Sequence, residues 1–287
     1  MNWKAAPRML FASSFLLLVA GVATQAATPY LGQEPPGMEP IPFAPTLLAS
    51  PSFAGTFSPD LTEFWFTEQD TSTRVGKVCG FALVGEEWQR VQTSPFDAVS
   101  DAMEPHIAPL GDCLFLTSVL RGQPTALVSE RTDAGWGPAV ALPAPINASG
   151  HFPMYISSTL DGTLYWTYLS SAGEAIVRTR KTGTGYGPVE RMASDGMPWI
   201  GAHPFVSPDE SLVIFDVRPQ GTISDLVVVF RRADGTWTAP QPISAVNGAG
   251  TDEICASLSP DGRYLFFARD LRIWWVDAAV LGARANP

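Results

Sequence analysis

The sequence predicts an all-β fold made of one unit repeated five times, and three observations predict it. A turn signature recurs. Phe57-Ser58-Pro59-Asp60 precedes Phe64-Trp65-Phe66, Val206-Ser207-Pro208-Asp209 precedes Val213-Ile214-Phe215, and Ser259-Pro260-Asp261-Gly262 precedes Tyr264–Phe267. Two degraded copies fill the gaps: Ile107-Ala108-Pro109-Leu110 before Leu114-Phe115-Leu116, and Thr159-Leu160-Asp161-Gly162 before Leu164-Tyr165-Trp166. The marks Pro59, Pro109, Leu160, Pro208 and Pro260 lie 50, 51, 48 and 52 residues apart, and a steady period of about 50 signals a repeat array. A second feature keeps the same beat, since Trp88, Trp136, Tyr186 and Trp237 are 48, 50 and 51 apart.

Each part of the unit has a physical reason. Proline pre-sets the first central turn position, aspartate bonds the local backbone, and Gly262 takes the conformation that leaves the turn. The fourth repeat is the clearest. Phe205–Ser207 reads as a first strand, Leu212–Asp216 as a second and Asp225–Phe230 as a third, rich in β-branched residues. Ala233-Asp234-Gly235 reads as a hairpin turn. Trp237–Ile243 reads as a fourth strand whose Pro240 and Pro242 suit only a sheet edge. Four antiparallel strands in about 50 residues make the blade of a β-propeller.

The fifth repeat supplies only Ile254–Ser259, Tyr264–Arg269 and Ile273–Val276 before the sequence ends. An orphan strand at Phe43–Leu48 can complete it, closing the ring and removing two exposed edges. Five four-stranded blades closed by an N-terminal strand are therefore expected, a six-bladed ring being the alternative.

Residues 1–26 stand apart. Lys4 and Arg8 precede the apolar run Met9–Val22, and the small residues Ala23-Thr24-Gln25-Ala26-Ala27 follow. This is the pattern of a secretory signal peptide cut after Ala26. The run is short for a membrane anchor, so no stable insertion is expected after cleavage, and no cysteine near the cut offers a lipid site. Residues 27–42 read as an extended leader rich in Pro, Gly and Glu, and residues 43–287 as a single propeller domain. Losing Lys4 and Arg8 moves the formal net charge from −10 to −12, which opposes binding to nucleic acid or anionic lipid. A monomer is expected.

The three cysteines, Cys79, Cys113 and Cys255, leave at least one thiol unpaired in an oxidising compartment. Cys79 and Cys113 sit in neighbouring repeats and could pair. Three buried free thiols are the plainer reading.

The S-P-D-G turn followed by an aromatic strand resembles the WD40-like propeller repeat of bacterial envelope proteins, the kind found in the TolB-like periplasmic propeller of the Tol system. The leader Leu31–Gly37 and the segments around Asn147 and Asn247 resemble secreted members of that group. The resemblance spans Phe43 to Leu281 and implies a periplasmic or secreted propeller. It implies no activity, because the group includes binding modules, chaperone-like parts and enzymes.

The residues that could carry chemistry sit near the starts of first strands. His106, His151 and His203 do so in repeats two, three and four. Glu104 with Asp101, Asp195, and Asp252 with Glu253 occupy comparable places. In a propeller the first strand lines the central channel, so these groups could converge at one mouth. Imidazole and carboxylate there could hold a divalent cation, the one cofactor these residues suggest, or act as acid and base. Some propeller lyases acting on acidic sugars resemble this arrangement. No nucleophile elbow, zinc-helix motif or phosphate-cradling loop is present. Asp161-Gly162 and Asp234-Gly235 lack the spacer of a sialidase aspartate box. The turn aspartates Asp60, Asp161, Asp209 and Asp261 read as structural, and the periodic aromatics as packing between blades. Asn147-Ala148-Ser149 matches a glycosylation acceptor. The leading reading is a non-enzymatic module binding an envelope protein, peptide or glycan. The alternative is a carbohydrate-active lyase or hydrolase using the channel-mouth residues Glu104, His106, His151, His203, Asp252 and Glu253.

Overall fold

A computed structural model describes residues 29–120, 123–148, 152–170, 173–219, 221 and 223–282. Five antiparallel sheets form the blades of a five-bladed propeller. From inner to outer strand, blade 1 is Ser52–Phe57, Glu63–Gln69, Gly76–Val84 and Glu87–Arg90. Blade 2 is Ala102–Ile107, Cys113–Leu120, Gln123–Thr132 and Val140–Ala141, and blade 3 is Phe152–Ser158, Leu164–Ser170, Gly173–Thr179 and Glu190–Arg191. Blade 4 is Ala202–Val206, Leu212–Val217, Asp225–Phe230 and Gln241–Pro242. Blade 5 is Glu253–Leu258, Tyr264–Arg269, Arg272–Asp277 and, from the other end of the chain, Ile41–Pro42. Each inner strand packs on the inner strands of both neighbours, the fifth on the first, so the ring is closed.

Closure falls slightly upstream of the segment the sequence suggests. Ile41 pairs with Trp275 and Pro42 with Trp274, and the Phe43 N–H donates to the Ile273 carbonyl. Phe43–Leu48 is not a strand. The Leu47 and Leu48 N–H groups both donate to the Ala44 carbonyl, folding the segment into a turn. The chain must here cross from the outer edge of blade 5 to the inner strand of blade 1, and Pro45 has no N–H for a ladder. The leader also differs from expectation. Tyr30 and Leu31 are buried, and the Tyr30 ring meets Phe57 of blade 1 and Tyr264, Phe266 and Trp275 of blade 5. Residues 1–26, read as a signal peptide, lie outside the described residues.

The turns hold as their chemistry demands. Ser58 Oγ donates to Asp60, Thr159 to Asp161, Ser207 to Asp209 and Ser259 to Asp261. The same aspartates accept N–H groups two residues on, as in Thr62, Thr163, Ser211 and Arg263. Gly262 takes φ +71°, where a side chain would be strained.

Aromatic side chains fill the wedges between blades. Trp237 is buried edge-on against Trp199, and Trp88, Trp136 and Tyr186 pack partly buried against core clusters. The Trp65 ring fits only because residue 80 is glycine, since a Cβ there would lie 2.6 Å from it. Outer strands are short where proline removes ladder donors. Trp237 makes only an isolated bridge to Arg231, and the fourth strand of blade 4 shrinks to Gln241–Pro242.

Asn147 and Asn247 are clamps. Asn147 Oδ1 accepts from the Ala126 N–H, and its Nδ2 donates to the Ala126 and Leu142 carbonyls. Asn247 makes the equivalent pair of bonds to Leu226. The Asn147 amide is therefore committed to the fold, which argues against its use as a glycan acceptor. Cys79, Cys113 and Cys255 are free thiols.

Candidate functional site in the central channel

Every inner strand breaks register once. The break lies between Phe53 and Thr56, Met103 and His106, Met154 and Ser157, Ala202 and Phe205, and Ile254 and Ser257. Inside each break one non-glycine residue has positive φ: Ala54 at 53°, Glu104 at 60°, Tyr155 at 53°, His203 at 50° and Cys255 at 55°. These five residues stand five positions before the five turn marks. A bulge re-aims a side chain, and here it directs one from each blade to a common point. Ala54, Tyr155 and Cys255 pack together. The Tyr155 ring sits edge-on to His203 with centroids 5.5 Å apart. His203 Nε2 lies 3.6 Å from Glu104 Oε1.

The strained backbone is satisfied by the preceding blade. The Glu104 N–H donates to Thr67 Oγ1 at 2.7 Å, the Tyr155 N–H to Thr117 Oγ1 at 3.2 Å and the His203 N–H to Thr167 Oγ1 at 2.8 Å. In blade 4 the register puts Asp216 where these threonines stand. Its Oδ1 meets His203 Nδ1 at 2.6 Å. Glu104 Oε2 accepts from Thr117 Oγ1 and from the Tyr155 N–H, both at 2.8 Å. The Tyr155 hydroxyl donates to the Ala256 carbonyl at 2.7 Å.

This cluster is buried. Glu104, Tyr155, His203, Asp216 and Cys255 are all buried. Burial alone would push the His203 imidazole down, but Asp216, helped by the Cys255 side chain, lifts it well above its ordinary value. His203 thus favours its protonated form, with Asp216 at one ring nitrogen and Glu104 near the other. Burial raises the Tyr155 hydroxyl well above its usual range. It also raises the Cys255 thiol to about 11, despite the opposing pull of His203. A protonated thiol and a salt-bridged imidazolium are poor nucleophile and base.

A pocket of about 120 Å³ opens beyond the cluster, at the face carrying the proline turns. Phe205, Ile107 and the rings of Pro59, Pro109, Pro208 and Pro260 line it, with Thr56, His106, Ser158, Ser257 and Ser259 as its polar groups. His106 Nε2 accepts from the Ser158 N–H at 3.1 Å, which leaves the proton on Nδ1. Burial holds this imidazole down, to about 4. The hydroxyls join blades. Thr56 Oγ1 accepts from the Ile107 N–H, Ser157 Oγ donates to the Pro204 carbonyl and Ser257 Oγ to the Gly55 carbonyl.

The predicted site residues therefore fall in separate places. Glu104 and His203 meet at the channel centre, while His106 faces the mouth pocket. Asp252 and Glu253 lie at the opposite end of the inner strand and are bound into the fold. Asp252 Oδ1 accepts from the Ser224 N–H of blade 4, as Asp101 Oδ1 accepts from the Gly76 N–H of blade 1. Glu253 is buried and accepts from Arg269 Nε at 2.7 Å and Thr251 Oγ1 at 2.5 Å. Asp195 pairs with Arg232 at the surface. His151 lies outside the described residues. Sequence reasoning missed Tyr155, Asp216 and Cys255. Counting back five from each turn mark would have found Tyr155 and Cys255 beside Glu104 and His203. Asp216 needed the strand register. No group of three or more His, Cys, Asp or Glu side chains among the described residues is placed to hold a metal ion. No described helix is long and apolar enough to cross a membrane.

No family model matches the sequence, and no curated protein matches it. Solved structures do resemble it. A TolB-like protein from Agrobacterium tumefaciens is similar with a TM-score of 0.51 at 16% identity, over 76% of this chain and 69% of that one. TolB from Acinetobacter baumannii gives 0.50 at 14%, over 79% of this chain and 54% of its own, so this chain spans about half its length. A gluconolactonase from Xanthomonas campestris gives 0.50 at 14%, over 88% and 98%. At such identities the likeness is one of fold.

Proposed function

We propose that this chain is a binding propeller of the bacterial envelope, periplasmic or secreted, which recognises a protein or peptide through the channel mouth on its proline-turn face. One observation carries the reading: the acid and base residues of the channel are buried and paired with one another, while the group open to a ligand is an apolar pocket. His203 is held between Asp216 and Glu104, and the His106 lone pair is taken by a backbone N–H. What remains at the mouth is a small pocket floored by the mostly buried Phe205 and Ile107 and rimmed by four proline rings, with a few hydroxyls. Such a site suits one apolar side chain of a partner, with polar groups fixing its orientation. The fold shared with TolB structures supports the envelope setting. The carbohydrate-active alternative would need an imidazole–carboxylate pair free to act on substrate, and the pair in hand is buried, with His203 bound to Asp216.

The test is a screen of short peptides and of an oligosaccharide panel against the mature chain, read by shifts of the His106 ring and Phe205 resonances. Peptides should shift both signals, and Phe205→Asp should abolish the response. Turnover of any sugar that is lost in Glu104→Gln would overturn the reading in favour of the enzyme.

A further inference from the structure

We infer a second binding site, the wedge between blades 2 and 3, which takes an aromatic side chain from an extended, basic-flanked segment of another protein. This goes beyond the channel-mouth reading and does not depend on it. The wedge between blades 5 and 1 is filled by Tyr30 of the leader. Its seat is made by Tyr264, Phe266 and Trp275 of blade 5 and Phe57 of blade 1. Strand register carries each of these positions into blades 2 and 3. Phe266 pairs with Trp275 as Phe115 pairs with Val128, and Phe57 precedes its turn as Ser158 does. The counterparts are therefore Cys113, Phe115, Val128 and Ser158, and all four line one cavity of about 260 Å³.

The cavity has a residue-level cause. Tyr264, Trp275 and Phe57 become Cys113, Val128 and Ser158, each smaller. Phe43, which packs on Trp275 in the closing blade, corresponds to Leu142 at this seat. The repeat thus preserves the seat and shrinks its walls; Tyr186, the counterpart of Trp88, lines the cavity, but among the described residues no leader residue like Tyr30 enters it.

The rim is built for contact. The two turns that flank this wedge are the ones that depart from the Ser-Pro-Asp signature. Leu110 stands where other turns have aspartate, and Leu160 where they have proline. They are 66% and 52% exposed and both line the cavity, so they offer apolar surface at its rim. Around them Asp112, Glu130 and Asp161 outnumber the neighbouring cations Lys181 and Arg180. That balance favours a segment with lysine or arginine beside its aromatic anchor. Ala108 and Leu110 replace the Ser259 and Asp261 of the occupied seat, so the anchor's far end meets apolar surface. This favours phenylalanine or tryptophan over tyrosine.

The probe is the peptide acetyl-Lys-Trp-Leu-Gly-Lys-amide, patterned on Tyr30-Leu31-Gly32, titrated into the full mature chain by calorimetry. Binding is expected with a Kd below about 1 mM. It should weaken at least tenfold, about 1.4 kcal/mol, when the peptide tryptophan is alanine. Leu160→Asp, an exposed change that leaves the core intact, should weaken it as much. Val128→Trp, which restores the wall found in blade 5, should block the seat, and its unchanged thermal midpoint would show that the fold persists. Phe205→Asp at the channel mouth should leave this binding unaltered. No binding up to about 1 mM, or binding indifferent to Leu160→Asp and Val128→Trp, overturns the assignment. Binding that follows Phe205→Asp instead overturns it and supports the mouth. Concentration-dependent dimers abolished by Leu160→Asp would make a second copy of this chain the occupant and overturn the assignment to another protein.

Discussion

His203 Nδ1 stands 2.6 Å from Asp216 Oδ1, with both side chains almost wholly buried. The contact lies within blade 4, and Glu104 extends it to blade 2. Removing His203 leaves Asp216 buried without its partner. His203→Ala should therefore cost about 3–5 kcal/mol in urea unfolding. His203→Gln, which keeps a donor, should cost less.

The two described channel histidines should respond to pH with opposite signs. The folded His203 value is raised by Asp216. Its contribution to stability is complete below about pH 6.5 and is lost as pH rises through the folded value. The folded His106 value is depressed by burial to about 4. Its contribution is complete above about pH 6.5 and is lost as pH falls toward 4, roughly 3 kcal/mol in all. Unfolding free energy measured across pH should flatten on the alkaline side in His203→Gln and on the acid side in His106→Gln.

Ring closure rests on few residues. Phe43 is fully buried against Phe57, Phe64, Phe266 and Trp275. Phe43→Ala should cost about 3–5 kcal/mol. Removing residues up to Ala44 should open the ring, seen as a lower thermal midpoint and rapid hydrogen exchange in Arg272–Asp277, whose partner strand would be gone.

Glu210 ties blade 3 to blade 4. It accepts from Arg178 at 2.8 Å, Arg231 at 2.5 Å and the Tyr165 hydroxyl at 2.6 Å. The arginines are partly exposed and can rehydrate, so Glu210→Ala should cost about 2 kcal/mol by urea unfolding.

The fold was legible because its turn chemistry and its aromatic positions share one period. Pro59, Pro208 and Pro260 announce the turns, and Trp237 announces a wedge. Closure was legible as a need, since blade 5 lacked a strand, but not to the residue. Ile41-Pro42 is too short and too proline-bound to read as a strand, whereas Phe43–Leu48 has the apolar look of one. The leader's Tyr30 was hidden for a like reason: its burial is set by Tyr264 and Trp275, more than two hundred residues away. At the site, histidine and carboxylate identity drew attention to Glu104 and His203, which do meet. It drew equal attention to Asp252 and Glu253, whose partners Ser224 and Arg269 only the fold reveals. The bulge that gathers Tyr155 and Cys255 leaves no mark in composition, because positive φ falls there on Ala, Glu, Tyr, His and Cys alike.

The most direct test of the central claim is a nitrogen-15 NMR titration of the two channel imidazoles, His106 and His203, in the folded chain beginning at Ala27. A buried structural cluster beneath a binding pocket predicts that His203 keeps both ring protons well past the ordinary imidazole range and that His106 stays neutral at pH 5. A His203 that instead titrates near pH 7 in exchange with solvent would contradict it, and would make the Glu104–His203 pair an accessible acid–base site.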